Sequence, residues 1–226
     1  IRWHEFKKKL LMPSTFALKL KPNHLFWVKL IIHIAALAPL CLTFYQAFTD
    51  NLGGDPVTAL LHFTGLGAFK LLILSLLVTP LARVLKQGLL IRVRRLIGLY
   101  SFTYAFAHFA SYILFDLQLD WSLLLSEIIK RPYITVGLIA WLILLALTLS
   151  STKKAQRYLG KKWQSLHNWV YLAVMLVSVH FLWSVKSAIL EPLIYMLITL
   201  LLLLYRRDKL KRIFNKRLNN TQKIQK

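Results

Sequence analysis

The sequence predicts an all-α integral membrane protein, a six-transmembrane-helix bundle with both termini in the cytoplasm. Three observations predict it. Of 226 residues, 57% are hydrophobic and the mean hydropathy is +0.55, too apolar for a soluble domain of this size. The apolar residues gather in long stretches, each near the ~20 residues that carry a helix across ~30 Å of hydrocarbon. The basic residues, 30 Lys and Arg against 8 Asp and Glu, are concentrated at the ends of the chain and in alternate connections between those stretches.

Residues 1–24 form a basic segment with Arg2, Lys7, Lys8, Lys9, Lys19 and Lys21. The apolar run behind it is too long for a signal-peptide core and has no small-residue cleavage pattern, so it reads as a retained first span over 25–48. Further spans are expected over 66–85, 96–116, 133–150, 168–186 and 189–205. Pro39, Pro80 and Pro192 fall in or near them, which membrane helices tolerate. Arg83, Lys86, Arg92, Arg94 and Arg95 follow span two, Lys153, Lys154, Arg157, Lys161 and Lys162 follow span four, and the basic tail occupies 206–226. These connections are expected in the cytoplasm. The others carry only Lys130, Arg131 and Lys186, with Asp50, Asp55, Asp116, Asp120, Glu127 and Glu191. One of them, QLDWSLLLSEIIKRPY, is amphipathic and reads as an interfacial helix with Trp121 at headgroup level. Segregation this clean explains the net charge of +22 by topology and membrane lipid, with no nucleic acid as partner. No internal repeat is visible and no linker divides the chain, so 25–205 is one transmembrane domain.

Ionisable residues inside a bilayer are costly and mark candidate sites. His108 stands 12 residues into span three and His180 stands 12 into span five. Both spans run outward, so the two imidazoles lie at one depth, about 18 Å from the inner end. Two axial ligands of a haem iron need that placement. Small and polar neighbours (Tyr104, Ala105, Ser111 and Tyr112 about His108, Ala173 and Ser184 about His180) leave room for a flat macrocycle, and the hydroxyls of Tyr104, Ser111 or Ser184 are candidates to accept the second ring N–H. The competing structural reading is a histidine pair hydrogen-bonded between helices. His167 lies 13 residues before His180, about 20 Å along a helix, at the cytoplasmic end of span five. It is a candidate ligand of a second haem, but 13 residues turn an ideal helix by about 220°, and the position 13 before His108 is Arg95. His33 in span one is a further candidate second-haem ligand. His62 falls at the outer edge, and His4 and His24 are expected to be solvated or interfacial.

The lone cysteine, Cys41, excludes an intrachain disulfide and a CxxCH attachment, so haem would be held without covalent linkage. No HExxH, Walker loop, GxSxG or GxGxxG occurs. The 21-residue tail is far below the ~100 residues of a nucleotide-binding fold, so electrons are expected from a donor protein or from quinol. Arg94, Arg95, Lys161 and Lys162 gather near His167 and are candidate contacts for a flavin phosphate or haem propionates.

In order along the chain stand GGDPV, LHFTG, TPLAR, RVRRLIGLY, AHFASY, RPYITVG, LGKKWQSLHNWVYL and HFLWSVK. Through them, from Val28 to Phe214, the sequence resembles the MsrQ (YedZ) family within the ferric-reductase-like transmembrane superfamily. The resemblance implies a bacterial inner-membrane subunit with haem b on His108, His167 and His180 and a requirement for FMN. It also implies electron delivery to a periplasmic molybdenum-cofactor reductase that repairs oxidised methionines. The haem number, one or two, and the donor, quinol or a cytoplasmic flavin reductase, stay open. Two other readings stand beside it: a self-contained ferric or oxygen reductase, and a histidine-bearing transporter or proton channel without haem.

Overall fold

The computed structural model describes residues 22–185, 189–207 and 211. The basic N-terminal segment up to residue 21 and most of the tail lie outside the described residues. The described chain forms helices α1 (Pro22–Phe48), α2 (Pro56–Val84), α3 (Arg94–Ser111), α4 (Trp121–Lys130), α5 (Pro132–Leu149), α6 (Lys153–Leu159), α7 (Lys161–His167), α8 (Val170–Ser184) and α9 (Leu190–Tyr205). A 3-10 turn, Gly88–Val93, leads into α3, and a π turn, Tyr112–Asp116, ends it. Among the described residues there is no strand.

Local chemistry sets the ends of these helices. Asp55 accepts from the Thr58 N–H at 3.0 Å and Pro56 occupies the first turn, where a missing N–H costs nothing. Asp120 caps α4 through the Ser122 and Leu123 N–H groups at 2.9 and 3.0 Å. Those bonds, led by Leu123, hold the Asp120 carboxyl below its ordinary range, so the ionised cap is lost only as pH falls through that lowered value. Gly160, at φ 47°, supplies the left-handed turn that divides α6 from α7. A turn at Asn168 and Trp169 separates α7 from α8, which places a break between His167 and His180 where the sequence expected one span from 168.

Among the described residues, four segments are long and apolar enough to cross a membrane: Asn23–Phe48, Pro56–Val84, Pro132–Leu149 and Lys161–Ser184. α9 is apolar but has only 16 residues. α3 is diluted by Arg94, Arg95, Ser101, Thr103 and His108; of these Ser101 is turned into the bundle, while Arg95 and Thr103 are exposed. Ser101 is fully buried and donates to the Ala68 carbonyl of α2 at 2.9 Å, an interhelical bond worth roughly 0.6–2 kcal/mol in a membrane.

The bundle is apolar on the outside as well as within. Ile31, Leu197 and Leu201 are each more than half exposed, as expected where lipid is the solvent. Inside, α2 packs most extensively on α3 and α5 on α8, around Phe69, Leu72, Leu76, Tyr104, Leu144, Tyr171 and Val174. Ala68, Ala140 and Ala173 are nearly inaccessible, and small residues of this kind let helix backbones approach. The connections holding Arg83, Lys86, Arg92 and Lys153–Lys162 form a basic end. The acidic end carries Asp50, Asp55, Asp116, Asp120, Glu127 and Glu191, and there His62 of α2 reaches Glu191 of α9 at 3.6 Å.

Candidate functional site

His108, one turn before the end of α3, and His180, one turn before the end of α8, face each other across the bundle. Their ring centroids are 6.3 Å apart, with planes at 80°. Two metal–nitrogen bonds of about 2 Å, in line through one metal, set imidazole centres about 6 Å apart. The separation fits a six-coordinate haem iron held from both faces.

The hydrogen bonds choose which nitrogen each ring presents. His108 Nδ1–H donates to the Leu61 carbonyl at 2.9 Å, and His180 Nδ1–H donates to the Tyr133 carbonyl at 2.7 Å. A carbonyl only accepts, so Nδ1 carries the proton in both rings and the Nε2 lone pair is left for a metal. A histidine ligand requires this outer partner. Backbone carbonyls take the role expected of hydroxyls: Tyr104 donates to the Ala36 carbonyl at 2.7 Å and Ser184 to the Phe181 carbonyl at 2.9 Å. Side-chain arithmetic could not see an acceptor 47 residues upstream on another helix.

Glycine makes the approach possible. A Cβ at Gly65 would stand 3.0 Å from His108 Nδ1, and one at Gly137 only 2.6 Å from His180 Nδ1. Each glycine lies four residues after the carbonyl that its histidine uses. Carbonyl, glycine and histidine therefore recur as Leu61, Gly65, His108 and Tyr133, Gly137, His180, every member of the second set standing 72 positions after its counterpart. The same step relates GLGA at 65–68 to GLIA at 137–140, Gly88 to Gly160, and His-Phe at 108–109 to His-Phe at 180–181. This is an internal repeat of two helix pairs, α2–α3 and α5–α8, and it corrects the expectation of none. Apolar helices share so many Leu and Ile by composition that the few informative identities stay hidden until the two bonds coincide.

Polar atoms without a protein partner lie within about a turn of the pair or of its glycines along the chain. Ser111 Oγ and Tyr112 OH, one turn beyond His108, Ser178 Oγ, two before His180, and Trp141 Nε1, one turn beyond Gly137, are buried and unbonded. Buried polar groups normally find partners, and the propionate carboxylates of a haem would be acceptors for such donors. On these observations the residues fit the group.

The structure does not bring the other candidates to this pair. His167, at the end of α7, has its Nε2 3.1 Å from Ser150 Oγ and its ring 4.1 Å from that of Trp163. Arg94 and Arg95 lie within electrostatic range of it. Under the repeat, the counterpart of His167 is Arg95. His33 is bonded through Nδ1 to the Tyr100 hydroxyl of α3. Lys161 and Lys162 are exposed at the start of α7. A further cation, Arg206, is 8% exposed at the same basic end; it stood in the basic tail with nothing in the sequence to separate it from its neighbours.

Residues 64–179 match the family described as ferric reductase like transmembrane component. The protein-methionine-sulfoxide reductase heme-binding subunit MsrQ of Cronobacter sakazakii is 48% identical over 195 residues, covering 86% of this chain and 98% of that protein. Its namesakes from Enterobacter sp. and Salmonella paratyphi B are 47% and 48% identical over the same shares.

Proposed function

Because this chain belongs to the MsrQ family of heme-binding membrane subunits, we propose that it holds haem b between His108 and His180 and relays electrons across the bacterial inner membrane. The observation that carries this reading is the 6.3 Å ring separation with both Nδ1–H groups committed to backbone carbonyls. When bound, haem supplies reversible one-electron chemistry. His108 and His180 would hold it from both sides through Nε2 and leave no open position, which would favour electron relay over oxygen chemistry. Leu61 and Tyr133 fix ring tautomer and orientation through their carbonyls, while Gly65 and Gly137 let the rings seat against helix backbone.

In this reading the chain crosses the membrane six times, α3 and α9 included, with both termini and the basic end in the cytoplasm. Its acceptor is a periplasmic molybdenum-cofactor reductase that repairs oxidised methionine, docked at the acidic end near α4. Its donor is quinol or a cytoplasmic flavin reductase. Arg94, Arg95, Lys161 and Lys162 are suited to the phosphate of FMN or to propionates, and His167 is the candidate ligand beside them. Reporter fusions after Arg95 and after Lys162 should read cytoplasmic, and fusions after Asp55 and after Trp121 external; an external reading after Lys162 would refute the arrangement. For the haem, the test is the absorbance of detergent-purified protein, oxidised and dithionite-reduced. A bis-histidine haem b spectrum is expected, and protein without a Soret band would overturn the assignment.

A further inference from the structure

Six of the eight acids lie at the acidic end, and among the described residues none stands at the basic end. Yet two guanidinium groups are drawn into the bundle there. Arg206 directly follows α9 and is 8% exposed. Its Nη1 donates to the Tyr171 hydroxyl of α8 at 2.9 Å and its Nη2 donates to the Leu76 carbonyl of α2. Nε is buried without an acceptor, and the charge lies 5.8 Å from the Tyr171 ring. Arg94, the first residue of α3, is half-buried within electrostatic range of Arg206 and Tyr171.

A guanidinium keeps its proton under all ordinary conditions. Both groups are therefore charged, and the burial of Arg206 against a hydroxyl and a carbonyl leaves its charge poorly compensated among the described residues. Arg94 and Arg206, like charges within electrostatic range, also repel each other. An anion between them relieves both penalties, and the planar fork of arginine matches the oxygens of a phosphate ester. Arg94 opens one membrane helix and Arg206 closes another, which sets the pair at headgroup depth. Basic pockets between helices at the cytoplasmic face are seats for anionic lipid headgroups.

We propose that Arg206, Arg94 and Tyr171 form a phosphate-ester site, and that its occupant is the headgroup of an anionic lipid, phosphatidylglycerol or cardiolipin, joining α2, α3, α8 and α9. The site rests on the cytoplasmic placement of the basic end; it shares Arg94 with the residues suited to FMN phosphate or propionates, and the FMN arm of the experiment separates the two occupants. Lipid is favoured over a nucleotide phosphate because it is the phosphate ester present at that depth at the highest concentration.

The experiment is thermal unfolding of the full-length, delipidated protein in detergent, read by tryptophan fluorescence. Separate arms contain micelles with phosphatidylglycerol, cardiolipin or phosphatidylcholine, and FMN in solution. The anionic lipids should raise the midpoint by about 5 °C over phosphatidylcholine. Arg206→Gln should abolish the rise, and Arg94→Gln should raise the half-saturating lipid concentration about tenfold. Lys153→Gln with Lys154→Gln should leave it in place. A rise with FMN and none with anionic lipid would transfer the site to a nucleotide phosphate and overturn the lipid assignment. Equal midpoints in all arms, or a full response in Arg206→Gln, would overturn the site itself. Should Arg206→Gln fail to accumulate, native mass spectrometry of wild type and Arg94→Gln decides: anionic lipid retained by the first and depleted from the second supports the site, and equal occupancy refutes it.

Discussion

At the His108–His180 site, a carbonyl, a glycine and a histidine from one helix pair meet the same three groups from another. At the basic end, the repeat that produced this symmetry sets Arg95 against His167. The first arrangement offers a metal two equivalent nitrogens, each fixed through its far side. The second offers one imidazole, engaged by Ser150 and stacked on Trp163, within range of two guanidinium groups. In the proposed reading one scaffold holds two half-sites per level, and the side chain in each half would decide whether the level favours a metal or an anion. Electrostatics separates them further. Cations suit phosphate or propionate oxygens but disfavour a second positive centre.

The largest test of this contrast is removal of a ring. His108→Ala and His180→Ala should each lose most of the bound haem while the protein still inserts, because one remaining ligand cannot hold a site built for two. Wild-type haem content in either variant would break the comparison at its stronger side. His167→Ala should leave that haem and its reduced spectrum in place.

Cradle glycines provide the next effect. In helix interiors alanine is ordinarily preferred over glycine by about 1 kcal/mol, but a Cβ at 137 would sit 2.6 Å from His180 Nδ1, against 3.0 Å for one at 65 from His108. Overpacking of this kind costs about 1–3 kcal/mol. Gly137→Ala should therefore lower haem occupancy more than Gly65→Ala, at unchanged helix content by circular dichroism. The reverse ranking would mean that the rings can shift freely.

Arg95→His would sharpen the comparison from the other side. It restores at the basic end the residue type that the repeat carries at 108 and 180, so haem per chain, measured by pyridine haemochrome, should rise. A ratio unchanged from wild type would show that the turn at Asn168 and Trp169 has taken His167 out of register. The smallest effect is kinetic. Replacing Arg94 and Arg95 by Ala should slow haem reduction by the physiological donor several-fold and leave dithionite reduction alone, since a small reductant needs no charged docking site. A donor rate equal to wild type would reduce the cluster to a topology signal.

The sequence by itself determined the membrane class, the helical content and the charge segregation, because hydropathy and charge are local properties summed along a segment. It also placed His108 and His180 at one depth, since a rise of about 1.5 Å per residue turns position into height. Only the tertiary structure decided what holds those rings. The acceptors are backbone carbonyls 47 residues away, and the space is made by glycines that have no side chain to signal a role. Arg206 likewise became distinct only when α2, α8 and α9 closed around it. A side chain's partners on other helices depend on how the helices cross, and neither periodicity nor composition encodes a crossing when every face is apolar.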